Sequence, residues 1–301
     1  MPSSQLPIAA MNTSLRLLRQ GLLAVASLAL AITAWAQSTM VRLHTTQGAI
    51  DIQLYDTAAP KTVANFLSYV RSGAYIDNFI HRSMPGFVVQ LGGYAWPGSG
   101  YAGHITTLPP VVNEFSVARS NVRGTVAMAK LGGDPNSATS EFFFNLGNNA
   151  SNLDTQNGGF TVFGRVTTPG MAVVDRIAAL STVNAGGAFT NLPVVNFSGS
   201  TILREHVVRL TEVTEFPPLS AQSDSDRVFN YLEAAYPQYL SPAHGQAGVA
   251  SGYTFRYYAG SNAYVATANA KVWYLLPSIS SDIGLLGDTA SWLNVAAQAG
   301  Y

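Results

Sequence analysis

Short runs in which apolar and polar residues alternate constrain the fold of this chain more than any other feature. In VRLHTTQGAIDIQLY, apolar residues occupy alternate positions on either side of Gln47-Gly48. A period of two is the pattern of a half-buried β-strand, and a glycine between two such runs indicates a turn. Further short strands are predicted in FIHRSMPGFVVQ, GTVAMAK, SEFFFNL, FTVFGRV and HVVRLTEVTEF. The region from Met40 to Phe216 is therefore predicted to be mainly β.

Two helices interrupt these strands. TAAPKTVANFLSYVRSG predicts the first, with Pro60 in its first turn, Gly73 as its stop and one apolar face formed by Val63, Phe66, Leu67 and Val70. MAVVDRIAAL predicts the second, introduced by Pro169-Gly170. Many short strands with two helices favour a closed or nearly closed antiparallel barrel capped by those helices.

One predicted strand contains an unexpected charge. FIHRSMPGFVVQ, residues 79–90, places Arg82 within apolar surroundings. A buried charge is costly unless it is paired, so Arg82 is either a salt-bridged barrel residue or a functional group. His81 beside it is interpreted as structural, with a catalytic part as the alternative.

Composition excludes several classes of function. The chain has no cysteine, so a disulfide framework, a thiolate catalyst and a Cys-ligated zinc are impossible. Five scattered histidines without an HExxH motif make a metal site improbable, and no cofactor is predicted. Charged residues make up 11% of the chain, against about 25% in ordinary soluble domains. The formal charge of zero argues against a basic nucleic-acid binder.

The N-terminus resembles an export signal. Arg16 and Arg19 precede an uncharged apolar run that ends in Ala34-Trp35-Ala36, which has the small-x-small pattern of a cleavage site. The run from Gly21 to Trp35 is shorter than the roughly 20 residues of a membrane span. We therefore expect residues 1–36 to be a cleaved signal peptide, with Met11 as an alternative start and an uncleaved anchor as the alternative reading. The mature protein is then periplasmic or secreted, with no membrane association.

The sequence changes character after Phe216. PPLSAQSDSD predicts a linker at 217–225, and residues 226–301 predict a small α+β module with one helix, RVFNYLEAAYPQYL, followed by aromatic strands. Tyrosines at alternate positions, such as those of GYTFRYYAG, are typical of a face that is half core and half surface. Binding of an unknown partner or surface by this module is the alternative.

Four ordered motifs carry a family resemblance across about 40–216. FIHRSMPGFVVQLGG, NEFSVARSNVRGTVAMAK, NSATSEFFFNLGNN and LDTQNGGFTVFGRVTTPGMAVVDRI resemble the successive signatures of a cyclophilin-type peptidyl-prolyl cis-trans isomerase of the bacterial exported kind. The resemblance implies an eight-stranded antiparallel barrel with two capping helices. It also implies isomerisation of X-Pro bonds in proline-containing peptides and unfolded exported proteins.

The resemblance assigns roles to individual residues. Arg82 is implied as the catalytic residue. Phe87, Met128, Phe143 and Leu153 are implied to line an apolar slot for the proline ring, with Phe160 at its rim. Gln90 and the backbone near Ala129 and Lys130 are implied to hold the substrate's peptide groups. Each apolar residue has an ordinary core role as its alternative.

Two positions depart from the family pattern. Glu141 stands where the family usually has glutamine, and Asn152 stands where relatives carry an aromatic residue. An ionised carboxylate accepts hydrogen bonds only, and we expect it to be drawn to Arg82 and to reduce activity. Asn152 predicts a more open groove. A catalytically weak proline-peptide binding module or chaperone that uses the same groove is therefore the alternative function.

Overall fold

The computed structural model of the protein describes residues 38–98 and 100–301, so the predicted signal peptide at 1–36 lies outside the described residues. The first part contains β1 (Met40–Thr45), β2 (Gly48–Leu54), α1 (Pro60–Arg71), β3 (Arg82–Met84), β4 (Val88–Leu91), β5 (Tyr94–Ala95), β6 (Gly103–His104), β7 (Thr125–Met128), β8 (Phe142–Asn145), α2 (Ala150–Leu153), β9 (Val162–Val166) and α3 (Thr168–Ala178). It continues with β10 (Thr182–Val183), β11 (Leu192–Pro193) and β12 (Leu210–Phe216). The second part contains α4 (Asp224–Ala235), β13 (Gln246–Ala250), β14 (Tyr253–Tyr258), β15 (Ala263–Ala268), β16 (Lys271–Leu275), β17 (Gly284–Asp288) and α5 (Thr289–Ala299).

Eight of the strands in the described residues form one antiparallel sheet in the order β12-β1-β2-β9-β7-β8-β4-β3. The segment before β3 closes this sheet onto the start of β12. The Ile80 amide donates to the Val208 carbonyl at 2.9 Å, and the Leu210 amide donates to the Asn78 carbonyl at 2.7 Å. The predicted eight-stranded antiparallel barrel is confirmed.

Helices α1 and α3 cap the barrel, as predicted. The predicted apolar face of α1 is buried, and its Phe66 ring lies 5.2 Å from the rings of both Phe142 and Phe163. Gly73 adopts a φ of +72°, which suits glycine, just after the helix ends. At the start of α3, the Thr167 side chain accepts a hydrogen bond from the Gly170 amide and so caps the helix.

The C-terminal module is a five-stranded antiparallel sheet, in the order β13-β14-β15-β16-β17, with α4 and α5. Helix α4 begins at Asp224, inside the predicted linker, because the Ser223 side chain caps it by accepting from the Asp226 amide. Helix α5 was absent from the sequence prediction of one helix followed by strands. Within the described part of the chain, no helix is both long and apolar enough to cross a membrane.

A buried ionic cluster joins the module to the barrel. Arg42 of β1 binds Asp51 of β2 through two bonds of 2.7 Å and Glu233 of α4 through a third of 2.7 Å. All three side chains are fully buried. The Tyr301 hydroxyl also donates to Asp51, and Arg256 binds Glu233 at 2.9 Å. The module is thus docked against β1 and β2.

Candidate active site

The register of four neighbouring strands sets the site. Arg82 pairs with Gln90, Gln90 with Phe143, and Phe143 with Ala127. Residues directly opposite each other in antiparallel strands project from the same face. Arg82 therefore shares one face of the barrel with the Phe143 ring and with Ala127. The alternate residues of these strands, such as Val89 and Phe144, fill the barrel interior.

An apolar cluster separate from the barrel core occupies this face. Its buried members are Val88, Ala127, Phe143, Leu153 and Val162, with Tyr55, Phe87, Ala129 and Phe160 partly buried around it. The Phe143 and Phe160 rings meet edge to face at 6.0 Å. Four of the five residues predicted for the proline slot and its rim thus come together: Phe87, Phe143, Leu153 and Phe160.

The assignment of Met128 to the slot is wrong. Met128 pairs with Phe142, and both side chains belong to the barrel interior. Its neighbour Ala127 is the β7 residue that faces the slot. Val88, which the sequence reasoning did not select, supplies a buried slot residue from β4. The alternation of faces along β4 could have revealed it, since Val88 lies two positions before Gln90.

Polar side chains form a hydrogen-bonded chain at the other end of the face. Arg82 Nη1 donates to Gln90 Oε1 at 3.1 Å, and Gln90 Nε2 donates to Glu141 Oε2 at 2.7 Å. Arg82 Nη2 also contacts the Met84 sulfur at 2.7 Å. The expected direct attraction of Glu141 to Arg82 is therefore wrong, because Gln90 lies between the two charges. The neutral amide of Gln90 binds the Arg82 side chain and holds it on the groove face.

Two histidines flank the Glu141 carboxylate. His81 Nε2 lies 3.5 Å from Oε2, and His104 Nε2 lies 3.8 Å from Oε1. Burial, together with the charges of Arg82 and His104, lowers the pKa of His81 to about 4. Burial raises the pKa of Glu141, against the opposing effects of Gln90 and His104. His81 is thus neutral at neutral pH.

A network of side-chain amides supports the slot from behind. Asn149 Nδ2 donates to the Phe87 carbonyl at 2.9 Å and to Asn145 Oδ1 at 2.7 Å. Asn121 Nδ2 donates to the Phe160 carbonyl at 3.0 Å and to Asp154 Oδ1 at 2.8 Å. These bonds fix the backbone that carries both edge rings. The sequence reasoning missed them, although the polar residues just after the apolar SEFFF run were a signal.

Ala129 and Lys130, which were also predicted to lie at the site, both form hydrogen bonds beside the slot. The Ala129 amide donates to the Glu141 carbonyl at 2.9 Å. Lys130 Nζ donates to the carbonyls of Asn157 and Gly159 at 2.7 and 2.6 Å and lies 4.8 Å from the centre of the Phe160 ring. Burial lowers the pKa of Lys130. The lysine side chain therefore holds the loop next to the slot.

The arrangement can bind an apolar ring beside a fixed cationic donor. In the described ranges, no group of three or more His, Asp or Glu side chains is placed to hold a metal ion. Arginine stays protonated at any physiological pH, so the donor is permanent.

Comparison with known proteins gives one family model and several relatives that are similar to this chain. Residues 40–198 match the family model of the cyclophilin type peptidyl-prolyl cis-trans isomerase. Peptidyl-prolyl cis-trans isomerase A of Dickeya dadantii is 42% identical over 158 residues, which cover 52% of this chain and 79% of that protein. Peptidyl-prolyl cis-trans isomerase B of Escherichia coli is 40% identical over 151 residues, which cover 49% of this chain and 88% of that protein.

Two solved structures of a cyclophilin-type peptidyl-prolyl cis-trans isomerase from Cryptosporidium parvum also align, one of them determined in the presence of the dipeptide Ala-Pro. The TM-score is 0.44 for both, with 19% and 21% identity. The alignments cover 60% and 58% of this chain and 98% and 96% of those chains.

Proposed function

The chain belongs to the cyclophilin-type peptidyl-prolyl cis-trans isomerase family and is an isomerase of that type, and from that premise we propose how it acts and on what. Its substrates are X-Pro bonds of exported proteins. Catalysis is non-covalent, with Arg82 as the catalytic residue and the apolar cluster as the proline slot. The observation that carries this proposal is the strand register, which puts Arg82, Gln90 and Phe143 on one face.

Arg82 acts on the twisted peptide bond. An X-Pro bond interconverts over a barrier of about 20 kcal/mol because rotation destroys the resonance of the amide. When resonance is lost, the prolyl nitrogen becomes pyramidal and regains a lone pair. A fixed donor directed at this lone pair stabilises the twisted state and not the planar ones, so it lowers the barrier. No nucleophile, proton transfer or cofactor is needed.

The slot selects proline and excludes water. Val88, Phe143 and Leu153 are buried side chains that would surround the pyrrolidine ring, with Phe87 and Phe160 at the edges. Exclusion of water lowers the local dielectric constant and strengthens the bond from the guanidinium. The slot therefore contributes to selectivity and to catalysis.

The substrate's flanking chain is held by polar groups beside the slot. Gln90 is half-buried on the groove face, and the backbone of Ala129 and Lys130 follows β7 at the edge of the slot. Since the Ala129 amide already donates to Glu141, the Ala129 carbonyl is the group that would receive a substrate amide. These contacts would hold one side of the peptide while the other rotates.

The test is isomerisation of a short X-Pro peptide by the purified protein and by Arg82→Ala. Loss of one donor that acts in the transition state lowers kcat by about 100-fold, and we expect a loss of that order. Arg71→Ala is the matched control, because Arg71 is a largely exposed arginine paired with Glu215 on another part of the barrel. An active enzyme unaffected by Arg82→Ala refutes the mechanism.

A catalytically weak proline-peptide binding module or chaperone is the second candidate, favoured by the apolar slot, which can bind a proline ring whether or not Arg82 acts on the peptide bond. It predicts peptide affinity with negligible turnover. Titration of the wild-type protein with the same peptide under assay conditions distinguishes the two, because saturable binding without turnover supports only the second.

The proposal that the protein is exported is based on residues 1–36 of the sequence. Export would bring the enzyme to the periplasm or the medium. Cell fractionation of the full chain and of a chain lacking residues 1–36 tests it. An equal distribution of the two chains contradicts export.

The proposal that the C-terminal module binds a partner or a surface is based on the outer face of its sheet. The partly exposed rings of this face are Tyr253, Phe255, Tyr257, Tyr264 and Trp273. Deleting the module would expose the buried charges of Arg42 and Asp51, so Tyr257→Ser with Tyr264→Ser is the better test. Unchanged location and unchanged partner capture in this variant contradict the proposal.

A further inference from the structure

The side-chain amide of Gln90 can in principle adopt two orientations. Rotation by 180° exchanges its oxygen and its NH₂ group with almost no change in shape. In the structure, the oxygen accepts from Arg82 at 3.1 Å and the NH₂ group donates to Glu141 at 2.7 Å. The reverse orientation would direct NH₂ at a guanidinium, which has only donors, and oxygen at a carboxylate, which has only acceptors. Arg82 and Glu141 therefore both favour the same orientation, and Glu141 does so from the NH₂ side.

The carboxylate is itself held in place. The Gly93 backbone lies against it so closely that an added Cβ would clash with Oε1. His104, from β6, faces the same oxygen at 3.8 Å, and the Tyr94 and His104 rings meet edge to face at 4.6 Å. The Glu141 side chain is only 24% exposed. The position of the carboxylate is thus fixed by residues from outside β8.

The charged and titratable groups around Glu141 are few. His81 precedes β3, Arg82 lies beyond Gln90, Tyr94 is on β5, and His104 is on β6. His81 is buried and its Nδ1 atom has no hydrogen-bond partner, which suits a neutral ring that carries its proton on Nε2. His104 approaches the carboxylate from the solvent side, since its side chain is 53% exposed.

We propose that Glu141, flanked by His104, is a positioning residue for the isomerisation. Its carboxylate fixes the Gln90 amide in the orientation that presents oxygen to Arg82, and so keeps the guanidinium on the groove face. The proposal rests on the proposed role of Arg82. It reverses the expectation drawn from the sequence, because the carboxylate supports the arginine instead of restraining it.

Steady-state kinetics with an X-Pro peptide test the proposal. We expect Glu141→Ala to lower kcat about tenfold, the effect of one hydrogen bond to a charged group, with little change in KM. Glu141→Gln should retain most of the activity, because its side-chain oxygen can still accept from Gln90. Glu212→Ala, at an exposed glutamate of β12, is the matched control and should leave kcat and KM unchanged.

A double-mutant cycle separates positioning from general damage to the fold. If Glu141 acts through Gln90, Glu141→Ala should have no further effect on kcat in a Gln90→Ala background. An equal loss of kcat in both backgrounds, or an unchanged kcat in Glu141→Ala, overturns the proposal.

NMR of the Gln90 side-chain NH₂ group, identified by its absence from Gln90→Ala, does not depend on turnover. We expect its two proton signals to move and to interchange faster in Glu141→Ala than in the wild type and Glu141→Gln. If the wild type lacks turnover that depends on Arg82, the proposed function fails, while a Gln90 signal altered by Glu141→Ala still supports the positioning. If that signal is the same in all three proteins, the positioning fails whatever the turnover.

Discussion

Substitution of Arg42 by methionine tests how firmly the C-terminal module is joined to the barrel. The guanidinium has five N–H donors, and its acceptors are the two oxygens of Asp51, one oxygen of Glu233 and the carbonyls of Asn230 and Ala243, at 2.6–2.8 Å. Arg42→Met keeps the long apolar stem and removes the charge. Asp51 and Glu233 then remain fully buried.

The expected loss of stability depends on which hydrogen-bond partners Asp51 and Glu233 retain. Glu233 retains Arg256 at 2.9 Å and the Tyr258 hydroxyl at 3.0 Å, whereas Asp51 retains only the Tyr301 hydroxyl among the partners described above. Removing one partner of a buried ion pair costs about 3–5 kcal/mol, because the other charge is left uncompensated. We expect the free energy of unfolding of Arg42→Met to fall by about 4 kcal/mol.

Urea unfolding followed by tryptophan fluorescence measures this loss, because Trp273 and Trp292 both lie in the module. Arg71→Met is the matched control: it breaks a 2.7 Å pair with Glu215 in which the arginine side chain is 62% exposed, and such pairs contribute about 1 kcal/mol or less. Adding Asp51→Asn to Arg42→Met should recover part of the stability, since the buried negative charge is removed. A loss for Arg42→Met no larger than that for Arg71→Met would refute the reasoning.

Three further outcomes are expected. The pKa of His81 is lowered from 6.5 to about 4, so on acidification the unfolded chain binds the proton first and stability is lost as the pH falls from 6.5 towards 4. Between pH 7 and 4.5, the free energy of unfolding in urea should fall by about 2 kcal/mol more in the wild type than in His81→Phe. Equal losses in the two proteins contradict the burial argument. Val88→Ala should lower kcat/KM about tenfold by removing two methyl groups from the slot, whereas Met128→Leu should leave it unchanged; the reverse result would restore Met128 to the slot. Tyr301→Phe removes a donor to buried Asp51 and should cost about 1–3 kcal/mol in urea unfolding, so an unchanged midpoint would show that this bond is dispensable.

The strands and capping helices of the barrel were predictable because their signals are local. A period of two and the stop at Gly73 can be recognised within a few residues of sequence. The partner strands and the closure of the barrel depend on register between distant segments, which periodicity does not specify. Met128 illustrates the limit: its motif was recognised correctly, but its face depends on the pairing of Met128 with Phe142 and on a register shift between Val126 and Ala127.

The buried cluster shows why the module's docking could not be predicted. Arg42 and Asp51 occupy the polar positions of β1 and β2, which an alternating pattern assigns to solvent. They are buried because α4 covers them, and the bond from Arg42 to Glu233 spans 191 residues of sequence. A sequence pattern reports which residues are polar, and only the tertiary structure shows which polar residues meet.

The place where the module docks predicts that stability and catalysis are separable. The module contacts β1 and β2, whereas Ala127, Phe143, Gln90 and Arg82 of the groove lie on β7, β8, β4 and β3, none of which is a neighbour of β1 or β2 in the strand order. Arg42→Met should therefore lower the midpoint of unfolding and leave kcat/KM for an X-Pro peptide within about twofold of the wild type, as expected for sites without shared partners. The assay belongs at a temperature and urea concentration where both proteins are folded. A fall in kcat/KM that is as large as that of Val88→Ala would mean that the docked module also shapes the groove, and that barrel and module form one catalytic unit.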